Sequence, residues 1–289
     1  MTLIGDLTAL ARPRIGLLAA AGAVGGWLLS GHGSEGLGLA LAPALVGAFL
    51  LSCGCSALNQ VQERDVDARM ERTKDRPLPA GRIRPATALA LALGWLAASA
   101  LALALTPGGP SAAALVPLTV LVYNGLYTPL KRRTSLAMLV GGVSGALPPV
   151  VGFAAAQGLA ATLADTRALL LAGVFYAWQV PHFWLFALSR REQYEGAGLR
   201  VPQHGLAGQR GPAALRLWLV GYGAAMLLLP AFGLVSAPAL RWLVAALALG
   251  MICCPGLTCG QGRLGFALVN ASLALLLACI AADALGLAA

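Results

Sequence analysis

The chain has 289 residues, of which 58% are hydrophobic and 11% are charged, and its mean hydropathy is +0.78. Soluble globular proteins carry about 25% charged residues, so the composition excludes that class. The formal net charge is +9. Membrane topology explains this excess of basic residues, as their positions along the chain show below, so a nucleic-acid partner is not needed to explain it.

Long apolar stretches divide the chain, and each approaches the roughly 20 residues that a helix needs to cross a bilayer. Leu and Ala dominate them and strand-like alternation is missing, which favours helices over a barrel. The predicted spans are 15–31, 37–58, 86–106, 111–128, 136–157, 166–188, 214–235, 239–258 and 264–286. We therefore predict an all-α polytopic membrane protein, one domain over 1–289, with nine transmembrane helices.

The basic residues lie almost entirely on one side of these spans. Of the 20 Lys and Arg residues, 18 lie in or beside the loops on the amino-terminal side, and only Arg167 and Arg241 lie on the other. Cytoplasmic loops carry such an excess of cations. We predict a cytoplasmic N-terminus and, because the N-terminal stretch has no transit-peptide pattern, a multi-pass protein of the bacterial plasma (inner) membrane.

The loop after the second span concentrates charge. Asn59, Glu63 and Asp67 are spaced i, i+4, i+8, so they share one face if the second helix continues past Asn59. Oxygen ligands on one face suit Mg²⁺, which takes one or two carboxylates together with substrate phosphates. The alternative is a solvated cytoplasmic loop whose acidic residues serve solubility.

Basic residues are interleaved with these acids, and such cations clamp phosphate groups. In this loop they are Arg64, Arg69, Arg72, Lys74 and Arg76. Lys131, Arg132 and Arg133 form a further basic group two spans later, able to bind phosphate or an anionic head group. Acids for a metal and bases for phosphate at a membrane surface predict a site for a diphosphate with a lipid tail.

A second polar cluster follows the sixth span. His182 lies within that span in the aromatic stretch "WQVPHFW", and ionisable residues inside a membrane are costly and often functional. The alternative is a histidine that is only hydrogen-bonded within the helix bundle. Glu192 and Glu195, spaced i, i+3 beside Arg190 and Arg191, repeat the combination of acids and bases and predict a second metal-binding loop on the same membrane face.

Four segments resemble one family of enzymes: "ALNQVQERDVDARMERTKDRPL", "YTPLKRRT", "GGVSGALPP" and "WQVPHF". In order and spacing they are similar to the UbiA superfamily of intramembrane prenyltransferases, and most closely to the protoheme IX farnesyltransferases. The resemblance implies nine helices around a central cavity, with two acid-rich loops that bind Mg²⁺ and a prenyl diphosphate.

By this resemblance, Asn59, Glu63 and Asp67 correspond to the first metal motif. Glu192 and Glu195, taken from their own spacing, complete the expected metal set. The phosphate-binding positions are Arg64, Lys131 and Arg132, to which the charge pattern of the loop adds Lys74. His182 corresponds to the histidine of the haem-type signature. The expected catalytic residues are Asn59, Glu63, Asp67 and His182.

The implied reaction joins the farnesyl group of farnesyl diphosphate to a vinyl group of protoheme IX, with addition of water, and yields haem O and diphosphate. Mg²⁺ is the expected cofactor and haem a substrate. The lipid bilayer is an expected partner, as are haem A synthase or oxidase assembly factors, whereas nucleic acid is not.

Three residues depart from the family pattern: Glu63 replaces an Asp, Gln193 replaces the acid of a "DY" pair, and Ala137 replaces an Asn. These departures leave two alternatives among enzymes, a UbiA-type transferase with an aromatic acceptor and a diverged paralogue with an altered substrate. A transporter or haem-binding assembly protein is a third alternative, but it leaves the regular spacing of the acids unexplained.

Overall fold

The computed structural model describes residues 2–31, 40–200, 211–253 and 262–287, and within these ranges it is helical without a strand. The predicted all-α fold is confirmed. The amino-terminal half contains α1 (Leu3–Ala11), α2 (Pro13–Leu29), α3 (Leu41–Gln62), α4 (Arg64–Asp67), α5 (Pro85–Ala104), α6 (Gly109–Ala113), α7 (Leu115–Val120), a π-helix (Leu121–Tyr127) and α8 (Thr128–Leu130).

The remaining helices follow the same alternation of long apolar segments and short connecting helices. They are α9 (Ala137–Gln157), α10 (Leu159–Ala164), α11 (Thr166–Leu188), α12 (Arg191–Gly196), α13 (Gly211–Ala231), α14 (Pro238–Cys253) and α15 (Gly262–Ala284). Local chemistry sets their ends. Pro85 begins α5, where a missing N–H costs nothing, and Gly158, at φ 85°, ends α9.

Each of the nine predicted spans coincides with a helical segment in the described residues. Seven of these segments are long and apolar enough to cross a membrane, and the number rises to eight if α1 and α2, bent by 43°, count as one span. The ninth, α14, has 16 residues. The number nine is thus compatible with the structure without being established by it, and parts of two predicted spans, 37–39 and 254–258, lie outside the described residues.

The long helices pack as a closed bundle. α3 packs against α2 and α5, α9 against α2 and α11, and α11 against α13 and α15, while α15 returns to α2. Glycines allow α2 and α9 to pack closely: a Cβ on Gly152 would lie 1.8 Å from the carbonyl oxygen of Ala23, and one on Gly26 would lie 2.1 Å from that of Pro149. Backbone contact of this kind is typical of membrane helices.

The charged connections gather at one end of the bundle, which we call the polar end. It consists of the residues after α3, the turn after α8 and the segment after α11, that is, residues 63–84, 131–136 and 189–200. Van der Waals contact joins the first and third of these segments, because Val66 and Met70 pack with Tyr194, Ala197 and Leu199. The fold therefore brings together loops that are far apart in the sequence.

Candidate functional site at the polar end of the bundle

The first predicted motif lies where α3 ends. The helix stops at Gln62, and Glu63 adopts a non-helical conformation (φ −113°, ψ 13°) before α4 begins. The amide Nδ2 of Asn59 donates to Oε2 of Glu63 at 3.0 Å, and the backbone N–H of Asp67 donates to the carbonyl of Glu63 at 2.8 Å. Asn59, Glu63 and Asp67 are all buried, so the helical spacing is nearly maintained across the break.

The π-helix supports this motif from the opposite side. The wide turn of a π-helix is frequent at functional sites, and here it directs Asn124 towards α3, where its side chain donates to the carbonyl of Cys55 and to Oε1 of Gln62, each at 3.1 Å. One turn later, Oγ1 of Thr128 accepts a hydrogen bond from Nδ2 of Asn59 at 3.1 Å. Both protons of the Asn59 amide are thus committed, which leaves its oxygen as the group that can bind a ligand.

Each buried carboxylate has one basic partner. Nζ of Lys131 lies 2.5 Å from Oε2 of Glu63, and Nη1 of Arg76 lies 2.6 Å from Oδ2 of Asp67. Removal from water lowers the pKa of Lys131, and the charge of Glu63 opposes that shift. The two acids and the two bases form a compact cluster of charge at the membrane surface.

The donors of the first motif fit Mg²⁺. Oε1 of Glu63 is buried without a hydrogen-bond partner, and an unpaired buried carboxylate oxygen is costly unless a ligand satisfies it. Two carboxylates and one amide oxygen match the preference of Mg²⁺ for a few protein oxygens supplemented by water and phosphate. Within the described ranges, however, no three residues among His, Cys, Asp and Glu are grouped closely enough to hold a metal.

The predicted phosphate-binding cations divide into two groups. Lys131 belongs to the buried cluster. Arg64 is exposed, Arg132 forms a two-pronged pair with Asp65 at 2.9 and 3.1 Å, and Lys74 pairs with Glu71 at 2.7 Å on the surface. The structure therefore does not bring Lys74, Arg64 and Arg132 together with the buried acids, and the hydrogen bond from Arg132 holds the pKa of Asp65 below its ordinary value.

In the second predicted metal loop, the two acidic side chains are exposed in the structure. Glu192 is exposed, and Glu195, also exposed, pairs with Arg191 at 2.6 Å. These acids are not gathered with those of the first motif in the structure, because they lie on the outer side of the short helix α12. Gln193 lies on the inner side, and its Oε1 is buried without a partner. Gln193, which departs from the pattern that the sequence resembles, thus carries a buried oxygen without a partner, as Glu63 does in the first motif.

His182 lies on α11 and faces the last long helix. Its Nδ1 is 3.0 Å from Oδ1 of Asn270, and aromatic rings surround it, with centroids at 4.6 Å for Trp178, 4.9 Å for Phe266 and 5.7 Å for Phe183. The alternative of a histidine hydrogen-bonded within the bundle is therefore correct as a description of Nδ1, but it does not account for Nε2.

A small cavity lies between these two regions. Its lining includes Lys131 and Tyr127 on one side and Phe183 and Tyr194 on the other, and its volume is about 50 Å³. Binding sites for small molecules are usually about 300–1,000 Å³. This cavity is therefore smaller than a usual binding site for a small molecule.

Sequence reasoning did not single out four residues that the structure places in or beside the site. Arg76 was only one of five basic residues in its loop, Asn270 was noted only as an isolated polar residue of the apolar spans, and Asn124 and Thr128 were not assigned a role. The sequence does carry a signal for Asn124 and Asn270, since each is a polar amide within a mostly apolar span. No pattern in the sequence identifies the π-helix that directs Asn124 to α3.

Comparison with known proteins identifies relatives of this chain. Residues 16–258 match the profile of the UbiA prenyltransferase family. The protoheme IX farnesyltransferase of Geobacter sulfurreducens is 46% identical over 235 residues, which is 81% of this chain and 84% of that protein. The protein of the same name from Oleidesulfovibrio alaskensis is 39% identical over 278 residues, 96% of each chain.

Solved structures show the same fold. A digeranylgeranylglyceryl phosphate synthase superimposes with a TM-score of 0.78 at 13% identity, over 98% of this chain and 99% of that one. A UbiA homologue from Archaeoglobus fulgidus, bound to DMAPP and Mg²⁺, superimposes with a TM-score of 0.70 at 16% identity, over 97% of this chain and 99% of that one. At these identities the likeness concerns the fold alone.

Proposed function

This chain belongs to the UbiA prenyltransferase family, and we propose that it is a protoheme IX farnesyltransferase. In this proposal it transfers the farnesyl group of farnesyl diphosphate to a vinyl group of protoheme IX, with addition of water, giving haem O and diphosphate. Support for this acceptor comes from relatives named protoheme IX farnesyltransferase that are 46% and 39% identical over most of this chain.

One observation carries the proposed chemistry, namely the pairing of buried acids and bases at the polar end. Glu63 and Asp67 are 5% and 4% exposed, and each has one cation in contact, Lys131 and Arg76 respectively. A site of this composition binds a metal through its acids and phosphate through its bases. An apolar bundle directly behind it accommodates an isoprenoid tail.

The reaction begins with cleavage of the bond between C1 of the farnesyl group and the diphosphate oxygen, to which the electron pair passes. Lys131 and Arg76 neutralise the negative charge that develops on the diphosphate, and stabilisation of such charge usually contributes more to catalysis than any other single effect. Asn59, Glu63 and Asp67 would hold Mg²⁺, which would supply further neutralisation of the same charge.

The allylic cation that remains is attacked by the electron pair of a haem vinyl group, forming the new carbon–carbon bond. Water then adds to the resulting cation beside the porphyrin and loses a proton, which leaves a hydroxyethylfarnesyl side chain. Trp178 and Phe183 belong to the aromatic surroundings of His182, and such apolar walls protect the first cation from premature hydrolysis.

Localisation and partners follow from the same proposal. We place the protein in the bacterial inner membrane with its N-terminus and polar end in the cytoplasm, on the basis of the one-sided distribution of cations. Haem A synthase or oxidase assembly factors are the proposed recipients of the product, because haem O is poorly soluble in water and is best passed on within the membrane.

The test is expression in bacteria that lack their own haem O synthesis, followed by chromatography and mass spectrometry of the extracted haems. Haem O should appear with the wild-type chain and disappear with Asp67→Asn, which keeps the shape of the side chain but removes its charge. Asp65→Asn is the matched control, because Asp65 is exposed and bonded to Arg132 outside the buried cluster; it should retain haem O synthesis.

One result would contradict the proposal, and a second assay then distinguishes the alternatives. Folded wild-type protein that leaves protoheme unmodified would exclude the haem reaction. If the same membranes then prenylate an aromatic ring such as a hydroxybenzoate, the aromatic-acceptor alternative is correct; if neither product forms, the chain is a diverged paralogue.

A further inference from the structure

The hydrogen bonds around His182 determine which of its nitrogens carries the proton. Nδ2 of Asn270 donates to the carbonyl oxygen of Phe266 at 2.6 Å, so Oδ1 is the atom that faces His182 at 3.0 Å. Rotating the amide by 180° would place two acceptors 2.6 Å apart, which is strongly unfavourable. Because Oδ1 only accepts, Nδ1 of His182 is the donor, and Nε2 of the neutral ring carries a lone pair.

Nothing in the described part of the chain donates a hydrogen bond to this Nε2. The nearest aromatic ring with an N–H is that of Trp178, and its Nε1 already donates to the carbonyl of Val269 at 2.9 Å. His182 is partly exposed rather than enclosed, and it lies six residues before Leu188, about 9 Å below the end of α11. A neutral imidazole with a free Nε2 is a frequent metal ligand in proteins.

The same face of α11 leads from His182 to the polar end. Phe186 is one turn later, with its ring 5.7 Å from that of Phe266, and the guanidinium of Arg190, a further four residues on, lies 4.2 Å from the centre of the Phe186 ring. No carboxylate of the described residues pairs with Arg190. An imidazole, an aromatic ring and a cation therefore follow one another along α11 towards the polar end, and Phe266 of α15 packs against the first two.

We propose that Asn270 is a positioning residue that holds His182 in the Nδ1–H tautomer, so that Nε2 ligates the iron of a porphyrin acceptor whose rim carboxylate binds Arg190. The proposal rests on the proposed function and specifies how the acceptor is held. It also explains why the acceptor is a metalloporphyrin rather than a phenolic ring, which has neither a metal nor a carboxylate at the required separation.

The first experiment measures the iron–histidine bond in the full chain, purified in detergent and titrated with haemin. Resonance Raman spectra of the reduced complex report the Fe–N stretching frequency. Asn270→Asp adds charge to the hydrogen bond on Nδ1 and should raise that frequency, whereas Asn270→Leu removes the bond and should lower it. Haemin affinity should fall about 10- to 100-fold in Asn270→Leu, as is typical for partners of metal ligands, and His182→Ala should abolish the Fe–N band.

The opposite signs separate positioning from structure, because a variant that only loosens the bundle shifts the band the same way in both cases or not at all. Unchanged bands in both variants would overturn the role of Asn270, and a wild-type band that persists in His182→Ala would overturn ligation. Haem O is measured in the same preparations. If it forms while ligation fails, only this inference is wrong; if wild-type protein neither binds nor consumes haemin, the proposed function fails as well.

The second experiment tests Arg190 with haemin and haemin dimethyl ester, which lacks the rim charges. Wild-type protein should bind haemin about tenfold more tightly than the ester, the effect expected of one charged hydrogen bond, and Arg190→Gln should lose that preference. Arg191→Gln is the matched control, because the neighbouring side chain pairs with Glu195; it should keep the preference. An equal preference in wild type and Arg190→Gln would remove Arg190 from the proposal.

Discussion

Replacing Lys131 by Gln separates the role of the buried charge pair in stability from its role in the reaction. The side chains of Lys131 and Glu63 are only 20% and 7% exposed, so removal of the cation leaves a buried carboxylate without its counter-charge. Breaking such a pair costs about 3–5 kcal/mol. Because Asn59 still donates to Glu63, we expect the lower end, about 3 kcal/mol.

That loss should lower the midpoint temperature of thermal unfolding by about 5–10 °C. Tryptophan fluorescence of the detergent-solubilised protein measures this midpoint. Prenyl transfer should also fall by about 10²- to 10³-fold, the usual effect of removing one group that stabilises developing negative charge. Glu63→Gln combined with Lys131→Gln removes both charges, so it should recover most of the thermal midpoint but none of the activity.

Lys74→Gln is the matched control for this series, since Lys74 pairs with Glu71 on the surface. It should change neither the midpoint nor the rate, although the charge pattern of the sequence makes Lys74 an equally good candidate for phosphate binding. A double variant no more stable than Lys131→Gln would refute the reasoning about the pair. A Lys131→Gln variant with wild-type activity would refute the placement of Lys131 beside the diphosphate.

Three further predictions concern packing, helix capping and ligand binding. Gly152→Ala should cost at least about 3 kcal/mol in stability, because its Cβ meets the backbone of Ala23, whereas Gly173→Ala, with open space around it, should not destabilise. Asp165→Ala should cost about 1 kcal/mol by removing the N-cap of α11. Because hydrogen bonds from Arg167 lower the pKa of Asp165, this difference should be present above about pH 4 and fade as the pH falls further. Calorimetry should show tighter binding of Mg²⁺ with inorganic diphosphate present, and equal affinity with and without it would contradict the shared site.

The fold was largely predictable because its cause is local. Stretches of about 20 apolar residues have one stable form in a bilayer, since every backbone polar group must be satisfied internally. The helices α3, α9 and α11 accordingly lie within a few residues of their predicted bounds. The shorter α14 was predicted to continue past Cys253, into residues that the structure does not describe.

The site was predictable only in part, because sequence spacing shows which residues share a face and not where a loop folds back. Asn59, Glu63 and Asp67 follow from spacing of four. Arg76 does not, because it reaches Asp67 only after the chain turns at Thr73, whose hydroxyl donates to the carbonyl of Asp67 at 2.8 Å. The spacing of Glu192 and Glu195 predicts a metal site equally well. In the structure, however, both side chains on the short helix α12 are exposed, and the buried side-chain oxygen belongs to Gln193.

The pairing of charges at the polar end follows from the burial of its carboxylates. A buried carboxylate without a partner is costly in any interior, so the proposed site for Mg²⁺ and diphosphate needs another source of positive charge when neither ligand is bound. Lys131 and Arg76 supply it by contact with Glu63 and Asp67. These bases are also the groups that phosphate attracts. A metal that binds the carboxylates would free the bases for diphosphate, and a diphosphate that binds the bases would free the carboxylates for the metal. In the proposed function, these ion pairs would keep the site stable without ligands and would couple the binding of the two.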